Sequence, residues 1–231
     1  MPRLDKHISN HIRSSRRSVR LMLAQGRIIV DGVVASDIAQ TIDKFSRIKI
    51  DGQWTQNNTA HYLLLNKPQG VICATKDPKH RTVLDLLELP YKEQLHIVGR
   101  LDYNSTGLVL LTNDGQWSRK LSHPDSRLIK RYRVTTEQTI TEHYVEAFQR
   151  GMYFGFEGIT TRPVTLTILD ERTAEVGLSE GRYHQIKRMF GRFNNKVLSI
   201  HRFAVGRYEL GDLGCGEYRS IAPNDAACFT D

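Results

Sequence analysis

The sequence predicts an α+β fold in two parts, a small basic module over residues 1–57 and a larger domain over residues 58–231. Helix and hairpin patterns follow one another closely in the first quarter of the chain. From His61 onward, short apolar and β-branched runs alternate with turn residues. The helical stretches of that second part are too few and too separate for a regular βαβ repeat, so the domain is predicted to be α+β.

Two short helices are predicted at the start of the module. Leu4, Ile8 and Ile12 recur at i, i+4 and i+8, which predicts one apolar stripe on a short helix. Ser14 or Ser15 can cap a second helix that runs through residue 24. The apolar side of this second helix contains Val19, Met22 and Leu23, and its other side carries Arg13, Arg16, Arg17 and Arg20.

A hairpin is predicted after the second helix. Gly26 stands where a helix end favours a left-handed residue, and Asp31-Gly32 between two apolar runs is a strong two-residue hairpin signal. Ile48 and Ile50 continue the strand pattern, whereas the polar residues 53–59 are interpreted as a linker.

The larger domain opens with a strand at residues 61–65 that stops before Pro68. Another strand at residues 108–111 ends at Asn113-Asp114-Gly115, which can turn the chain and cap a helix over residues 117–121. The remaining predicted strands are 131–136, 164–169 and 174–178, and the remaining helical stretches are 82–88, 139–150 and 184–193.

The charge of the chain favours a polyanionic partner. Its net charge is +8 and its pI is about 9.5. Residues 1–57 contain ten Lys and Arg against five Asp and no Glu, a net +5, whereas the remaining 23 basic and 20 acidic residues give only +3. Basic side chains gain by releasing counterions from phosphates, so this concentration indicates nucleic-acid binding by the module.

Other classes of protein are disfavoured. No apolar run approaches the roughly 20 residues of a membrane span, and the N-terminus lacks the apolar core of a secretion signal. We interpret Cys73, Cys215 and Cys228 as reduced thiols of a cytoplasmic protein, because they are odd in number and lack metal-ligand spacing. A phosphate-binding glycine loop, a GxSxG elbow and an HExxH motif are all absent.

Three segments could carry chemistry. In Gly99-Arg100-Leu101-Asp102, Arg100 and Asp102 are expected to project to one face of an extended segment. They could be a catalytic carboxylate with a neighbouring cation, or a structural ion pair. In Lys130-Arg131-Tyr132-Arg133, an aromatic residue points away from two cations, which also suits an ordinary strand. The third segment, residues 179–190, has a loop arginine, Arg182, before a basic helix; phosphate contact and a solvated charged face both explain it.

The order of these segments is more specific than any one of them. Together with Leu65-Asn66-Lys67-Pro68, Leu111-Thr112-Asn113-Asp114-Gly115 and the closing run through His201-Arg202, they resemble the RsuA-type pseudouridine synthases, which modify ribosomal RNA. The helix–helix–hairpin of residues 1–57 resembles the αL RNA-binding motif of a small-subunit ribosomal protein. The resemblance covers nearly the whole chain and implies a catalytic domain with a mixed, mainly antiparallel sheet.

The resemblance also implies roles for individual residues. Asp102 matches the catalytic aspartate, Tyr132 the tyrosine that stacks on the target base, and Arg182 the basic partner that keeps the aspartate ionised. Arg100 would help to hold the flipped-out nucleotide. The expected RNA contacts of the catalytic domain are Arg100, His184, Gln185, Lys187 and Arg188, and those of the module are Arg3, Lys6, Arg13, Arg16, Arg17, Arg20 and Arg27.

The implied reaction detaches uracil from its ribose, rotates it and rejoins it through carbon 5, so neither a cofactor nor a metal is expected. The preferred target is 16S rRNA or a small-subunit assembly intermediate, acted on by a monomer with no membrane association. An enzyme for 23S rRNA and a non-catalytic RNA-binding assembly factor are the alternatives. Direct attack on the sugar, attack on the base and a glycal route all remain open.

Overall fold

A computed structural model describes residues 1–227, and the chain divides into two compact units, one from Met1 to Ala60 and one that begins at His61. The sequence had suggested a division at residue 57. None of the helices in the described residues is long and apolar enough to cross a membrane. Cys73 is buried, Cys215 is exposed and both are free thiols, whereas Cys228 lies outside the described residues.

The first unit follows its local sequence signals. The Ser15 hydroxyl accepts a hydrogen bond from the Ser18 N–H and caps the second helix, and Gly26 takes a positive φ of 68° after it. Asp31 and Gly32 both have positive φ, as a two-residue hairpin turn of the primed type requires. The elements are α1 (Leu4–His11), α2 (Arg16–Ala24), β1 (Ile28–Val30), β2 (Val33–Val34), β3 (Ile48–Ile50) and β4 (Gln53–Gln56), and the antiparallel sheet has the order β2-β1-β3-β4.

The linker interpretation of residues 53–59 was wrong for its first half, because β4 pairs there with β3. The turn between them, Asp51-Gly52, has positive φ at both residues. Strand β4 is an exposed edge strand, so its outward residues are polar and no apolar alternation marks it. Trp54 contributes aromatic surface instead, with the Lys49 ammonium 4.3 Å from its ring centre.

The second unit is built around a nine-stranded sheet with the order β11-β12-β8-β13-β7-β5-β15, with β14 paired to β13 and β6 to β7. Strands β13 and β7 are parallel, and the other strand pairs of this sheet are antiparallel, which confirms the predicted mixed, mainly antiparallel sheet. The nine strands of this sheet are β5 (Tyr62–Lys67), β6 (His96–Val98), β7 (Thr106–Thr112), β8 (Lys130–Thr136), β11 (Thr165–Asp170), β12 (Thr173–Leu178), β13 (Val197–Val205), β14 (Tyr208–Glu209) and β15 (Tyr218–Ser220). Strands β9 (Tyr153–Phe154) and β10 (Ile159–Thr160) pair in a separate two-stranded sheet.

Helices flank this sheet. The Asp114 carboxylate accepts hydrogen bonds from the N–H groups of Gln116 and Trp117, so the predicted cap is confirmed. The helix predicted over residues 82–88 is only a 3-10 turn, Leu84–Leu86, because the backbone is already extended at Leu87 and Pro90 disfavours a helical conformation at the residue before it. The helices are α3 (Gly115–Ser122), α4 (Glu142–Arg150), α5 (Gln185–Gly191) and α6 (Pro223–Ala227).

The apolar core of the second unit lies on both faces of the sheet. One cluster packs α4 and α5 against the sheet, with Phe148 and Phe190 fully buried in edge-to-face contact. The other cluster holds α3 and α6 through Trp117, whose indole N–H donates to the Ala226 carbonyl over 2.9 Å. Strand β7, with Val109 and Leu111 in one cluster and Leu108 and Leu110 in the other, is therefore packed on both faces.

Candidate active site

Asp102 lies in the wall of a cavity of about 110 Å³ over the middle of the large sheet. The wall is formed by side chains of β8 and β13, by the loop before β7 and by the start of α5. Seven residues predicted from the sequence to act in catalysis or RNA binding meet there: Arg100, Asp102, Tyr132, Arg182, His184, Gln185 and Lys187.

The Asp102 carboxylate is flanked by two basic side chains. Its Oδ2 atom is 3.4 Å from the Lys187 ammonium and 3.4 Å from Nε2 of His184. Asp102 is 38% exposed at the cavity mouth, so a ligand can reach it from solvent. A nearby positive charge stabilises the ionised form of a carboxyl group. The site therefore contains an accessible carboxylate with two basic side chains beside it, both from the start of α5.

Backbone contacts hold the Asp102 loop in place. The Ser105 N–H donates to the Asp102 carbonyl over 3.1 Å, which closes a turn. One residue earlier, the Leu101 N–H donates to Sγ of the buried Cys73 over 3.3 Å. The chain is thus fixed on both sides of the carboxylate, as a pre-organised catalytic group requires.

A buried arginine also holds the loop that contains Asp102, through hydrogen bonds to backbone carbonyls. Arg202 on β13 is 2% exposed, and its guanidinium donates to the carbonyls of Leu108, Gly99 and Arg100 over 2.7, 3.2 and 3.4 Å. These acceptors lie before and within β7, so one side chain ties the Gly99-Arg100 segment to the sheet. Its position opposite Tyr132 on β8 places a cation 6.0 Å from that aromatic ring.

Lys67 gives a second buried support. This fully buried lysine donates to the Pro68 carbonyl over 2.9 Å and to the Tyr103 carbonyl over 3.4 Å. Burial lowers the pKa of Lys67, and Cys73 and Asp102 oppose that change. The lysine joins the end of β5 to the residue after Asp102, so it positions the carboxylate without contacting the cavity.

Tyr132 forms an aromatic wall of the cavity. It is 7% exposed on β8 and lies between Val176 and Arg202 on the neighbouring strands. Its neighbours Arg131 and Arg133 point to the other face, as the strand alternation predicted, and each pairs with a glutamate. A flat ring beside a carboxylate is suited to stacking on a nucleobase.

Arg182 lies in the cavity wall with Asp102 but makes its ion pair with another residue. The resemblance implied that Arg182 is the basic partner of Asp102, but the Arg182 guanidinium pairs with Glu180 over 3.1 Å. Glu180 is only 11% exposed and accepts a further hydrogen bond from Gln185, so it is a fixed anchor for the entry loop. The groups within ion-pair distance of Asp102 are Lys187 and His184 instead.

Two predicted RNA contacts are engaged within the protein. Gln185 is 3% exposed. Its side-chain amide donates a hydrogen bond to the Glu180 carboxylate and accepts one from the Arg182 N–H. Arg188 makes two 2.6 Å hydrogen bonds to Glu157 and covers the Phe154 ring at 3.7 Å. Both side chains are therefore held by protein partners in this arrangement.

His184 occupies a special backbone position. Its φ of 51° is left-handed and starts α5, and its ring stacks at 3.8 Å on Tyr183, which is 76% exposed. A non-glycine residue in this region is uncommon and is found at functional sites. The backbone turn aims the His184 ring toward Asp102, while Tyr183 extends the aromatic surface outward.

Sequence reasoning missed Lys67, Arg202 and Glu180 as parts of the site. For Arg202 a signal was available, because Ile200 and Ala204 on the same strand are apolar and predict that the residue between them also faces inward. Lys67 and Glu180 carry no comparable local signal, since their partners are carbonyls and loop atoms distant in the chain.

The basic residues predicted to bind RNA in the first unit differ in their contacts. Arg3 and Arg16 contact the buried Asp5 at 3.1 and 4.0 Å, and Arg27 pairs with Asp51 at 2.6 Å. The other predicted contacts are exposed, and within the described residues they have no acidic partner: Lys6, Arg13, Arg17 and Arg20.

Comparison with known proteins gives consistent matches. A curated relative from Pseudomonas aeruginosa, described as a ribosomal small subunit pseudouridine synthase A, is 49% identical over 205 residues, which cover 88% of this chain and 89% of the relative. A relative of the same description from Escherichia coli K12 is 38% identical over 227 residues, covering 97% and 98%.

A solved structure described as a pseudouridylate synthase matches with a TM-score of 0.71 at 33% identity and covers 100% of both chains. Residues 61–191 match the family described as RNA pseudouridylate synthase. This matched segment contains Asp102, Tyr132 and all of α5. The chain therefore belongs to the RNA pseudouridylate synthases, isomerases that convert uridine in RNA to pseudouridine.

Proposed function

We propose that this enzyme converts one uridine of small-subunit (16S) ribosomal RNA to pseudouridine, with Asp102 as the catalytic carboxylate and no cofactor. The descriptions of the curated relatives support the small-subunit target. The observation that carries the proposal is the position of Asp102, at the mouth of a cavity with Tyr132 as one wall and two basic groups at 3.4 Å.

The reaction balances within the substrate. The bond from C1′ to N1 of the base breaks, the bond from C1′ to C5 forms, and a proton leaves C5 while N1 gains one. Nothing is oxidised, so the residues must hold a base, orient it and move protons. Asp102 acts on the nucleotide, and Tyr132 stacks on the uracil so that the detached ring turns without escaping. The chemical route by which the carboxylate acts stays open.

The basic residues around the cavity have complementary proposed roles. Lys187 and His184 hold the Asp102 carboxylate in position through contacts of 3.4 Å. Arg182, already oriented by Glu180, contacts the incoming RNA and acts with Asp102 in catalysis. Arg100 is exposed at the same mouth and holds the flipped-out nucleotide. Arg188 remains a proposed RNA contact once phosphate competes with Glu157.

The first unit is proposed to bind RNA through phosphates. Its residues 1–57 carry a net charge of +5, and the exposed side chains of Arg17 and Arg20 are available to phosphate oxygens. Removal of residues 1–60 should weaken binding to ribosomal RNA and reduce the slope of log Kd against log salt. An unchanged slope would contradict this role. We further propose that the enzyme acts as a monomer in the cytoplasm.

The catalytic assignment is tested with Asp102→Asn on unmodified small-subunit rRNA. Product formation should fall by about 1,000-fold, within the range of a lost general acid–base group, while RNA binding is kept. Asp212→Asn, at a carboxylate that is 99% exposed, is the control and should retain activity. Product formation by Asp102→Asn at the wild-type rate would overturn the assignment.

Mapping pseudouridine in rRNA from a deletion strain identifies the target. A pseudouridine missing from the large-subunit rRNA of that strain would redirect the proposal to 23S rRNA.

A further inference from the structure

A second cavity, of about 210 Å³, adjoins the one that holds Asp102. Arg100, Tyr132 and Gly181 belong to the walls of both. The chemistry proposed above makes no use of this second space. A group bound there would lie directly beside a nucleotide held in the first cavity, on the other side of the Tyr132 ring.

The second cavity is positively charged. Arg100, Lys130 and Arg202 line it, and no Asp or Glu is among its lining residues. Among the described residues, the Arg202 guanidinium donates only to carbonyl oxygens, and no carboxylate there neutralises its charge. The Lys130 side chain is half-buried and makes no ion pair within the described part of the chain.

Such an arrangement favours an anion. Two partly desolvated cations near each other raise the free energy of the folded chain unless a negative charge joins them. Burial, and after it the charge of Arg202, lowers the pKa of Lys130. A bound anion would offset the repulsion between the two cations and would raise the pKa of Lys130. Among the groups of an RNA substrate only the phosphodiester carries a negative charge, and one such group flanks every nucleotide on each side.

We propose that this cavity binds a phosphate group of the RNA backbone next to the target uridine, and that Lys130 is its principal contact. The inference rests on the proposed function, because it assumes that the uridine occupies the first cavity. Phosphate contacts fix the register of a protein on nucleic acid without reading sequence. Lys130 therefore acts as a positioning residue that strengthens binding of the RNA backbone next to the target uridine.

The test uses Lys130→Met in the full-length chain, with Lys130→Arg keeping the charge and Lys196→Met as a control at an exposed lysine outside both cavities. For Lys130→Met, Kd for an unmodified rRNA fragment should rise about tenfold, which corresponds to one lost charge-assisted contact. The slope of log Kd against log salt should fall by about 0.7 to 1. The two control variants should retain the wild-type slope, and turnover at saturating RNA should change little.

A modified substrate identifies the source of the phosphate. Neutral methylphosphonate at one linkage beside the target uridine should weaken wild-type binding about as much as Lys130→Met does, and should not weaken the variant further. If inorganic phosphate inhibits the wild type more than Lys130→Met while no single linkage shows this coupling, the cavity binds free phosphate and the backbone assignment is overturned. If Lys130→Met retains the wild-type Kd and the wild-type salt slope, the proposed phosphate site is overturned. Product formation by the wild-type enzyme tests the proposed function separately.

Discussion

The parallel junction of β7 and β13 predicts a strong effect for Gly107→Ala. Gly107 has a φ of +104°, and a Cβ added there would lie 2.2 Å from the Arg202 carbonyl oxygen and 2.8 Å from the Arg202 nitrogen. Ordinary contact begins near 3.4 Å, so the strands must separate by about 1.2 Å to accept a methyl group. The atoms in the way belong to backbone, which cannot rotate aside.

The cost follows from two terms. The backbone conformation costs a non-glycine residue about 1–3 kcal/mol. Separation of the strands weakens one or two ladder hydrogen bonds, at about 0.5–1.5 kcal/mol each. The free energy of unfolding should therefore fall by about 2–5 kcal/mol, and Tm by about 5–15 °C for a unit of this size. Turnover should also fall, because the same shift moves the Arg202 guanidinium that holds the Asp102 loop.

Thermal unfolding followed by circular dichroism measures this effect, and Gly115→Ala is the matched control. Gly115 is the first residue of α3, and nothing lies within 4 Å of a Cβ added there. The control should have an unchanged or slightly raised Tm, since alanine favours helix. A Tm for Gly107→Ala equal to that of the control would refute the close approach of the two strands.

Further substitutions test the site and its supports. Lys187→Met removes the ammonium 3.4 Å from Asp102 and should lower single-turnover product formation about tenfold, less than a buried donor contributes because the pair is one-third exposed. Arg202→Met leaves three carbonyls without their donor and should lower the free energy of urea unfolding by about 3 kcal/mol; an unchanged urea midpoint would contradict that support. Burial, and then Arg133, lowers the pKa of His201 below its ordinary value, so the unfolded chain binds the proton more readily. Stability should therefore fall as the pH drops below about 6.5, and His201→Gln should show a shallower decline in Tm between pH 7 and pH 5.

Local signals predicted most of the fold. The Ser15 cap, the Asp31-Gly32 turn and the Asp114 cap each depend on side-chain or backbone chemistry within four residues, so each could be inferred from the sequence. Strand β4 was missed because an exposed edge strand needs no apolar alternation. The helix predicted at residues 82–88 ended after one turn, because the backbone is extended at Leu87 and Pro90 follows closely.

The site was predicted less completely because its contacts join distant parts of the chain. Asp102 and Tyr132 were found through family order, and the structure brings them to one cavity. The pairing of Arg182 with Glu180, and the contact of Lys187 with Asp102 across 85 residues, depend on how the entry loop packs. No periodicity in the sequence encodes which of several neighbouring cations a loop will turn inward.

The parallel pairing of β7 with β13 also determines when the site can form during folding. The Thr106 hydroxyl and His201 that meet at this junction are 95 residues apart, so a long loop must close before the two strands stabilise each other. The β11–β12 hairpin, by contrast, pairs across a short turn. We therefore expect hairpins to form early and the catalytic cavity to assemble last. A partly folded chain would then have extensive secondary structure and no activity, which makes pseudouridine formation a sensitive measure of the completed fold.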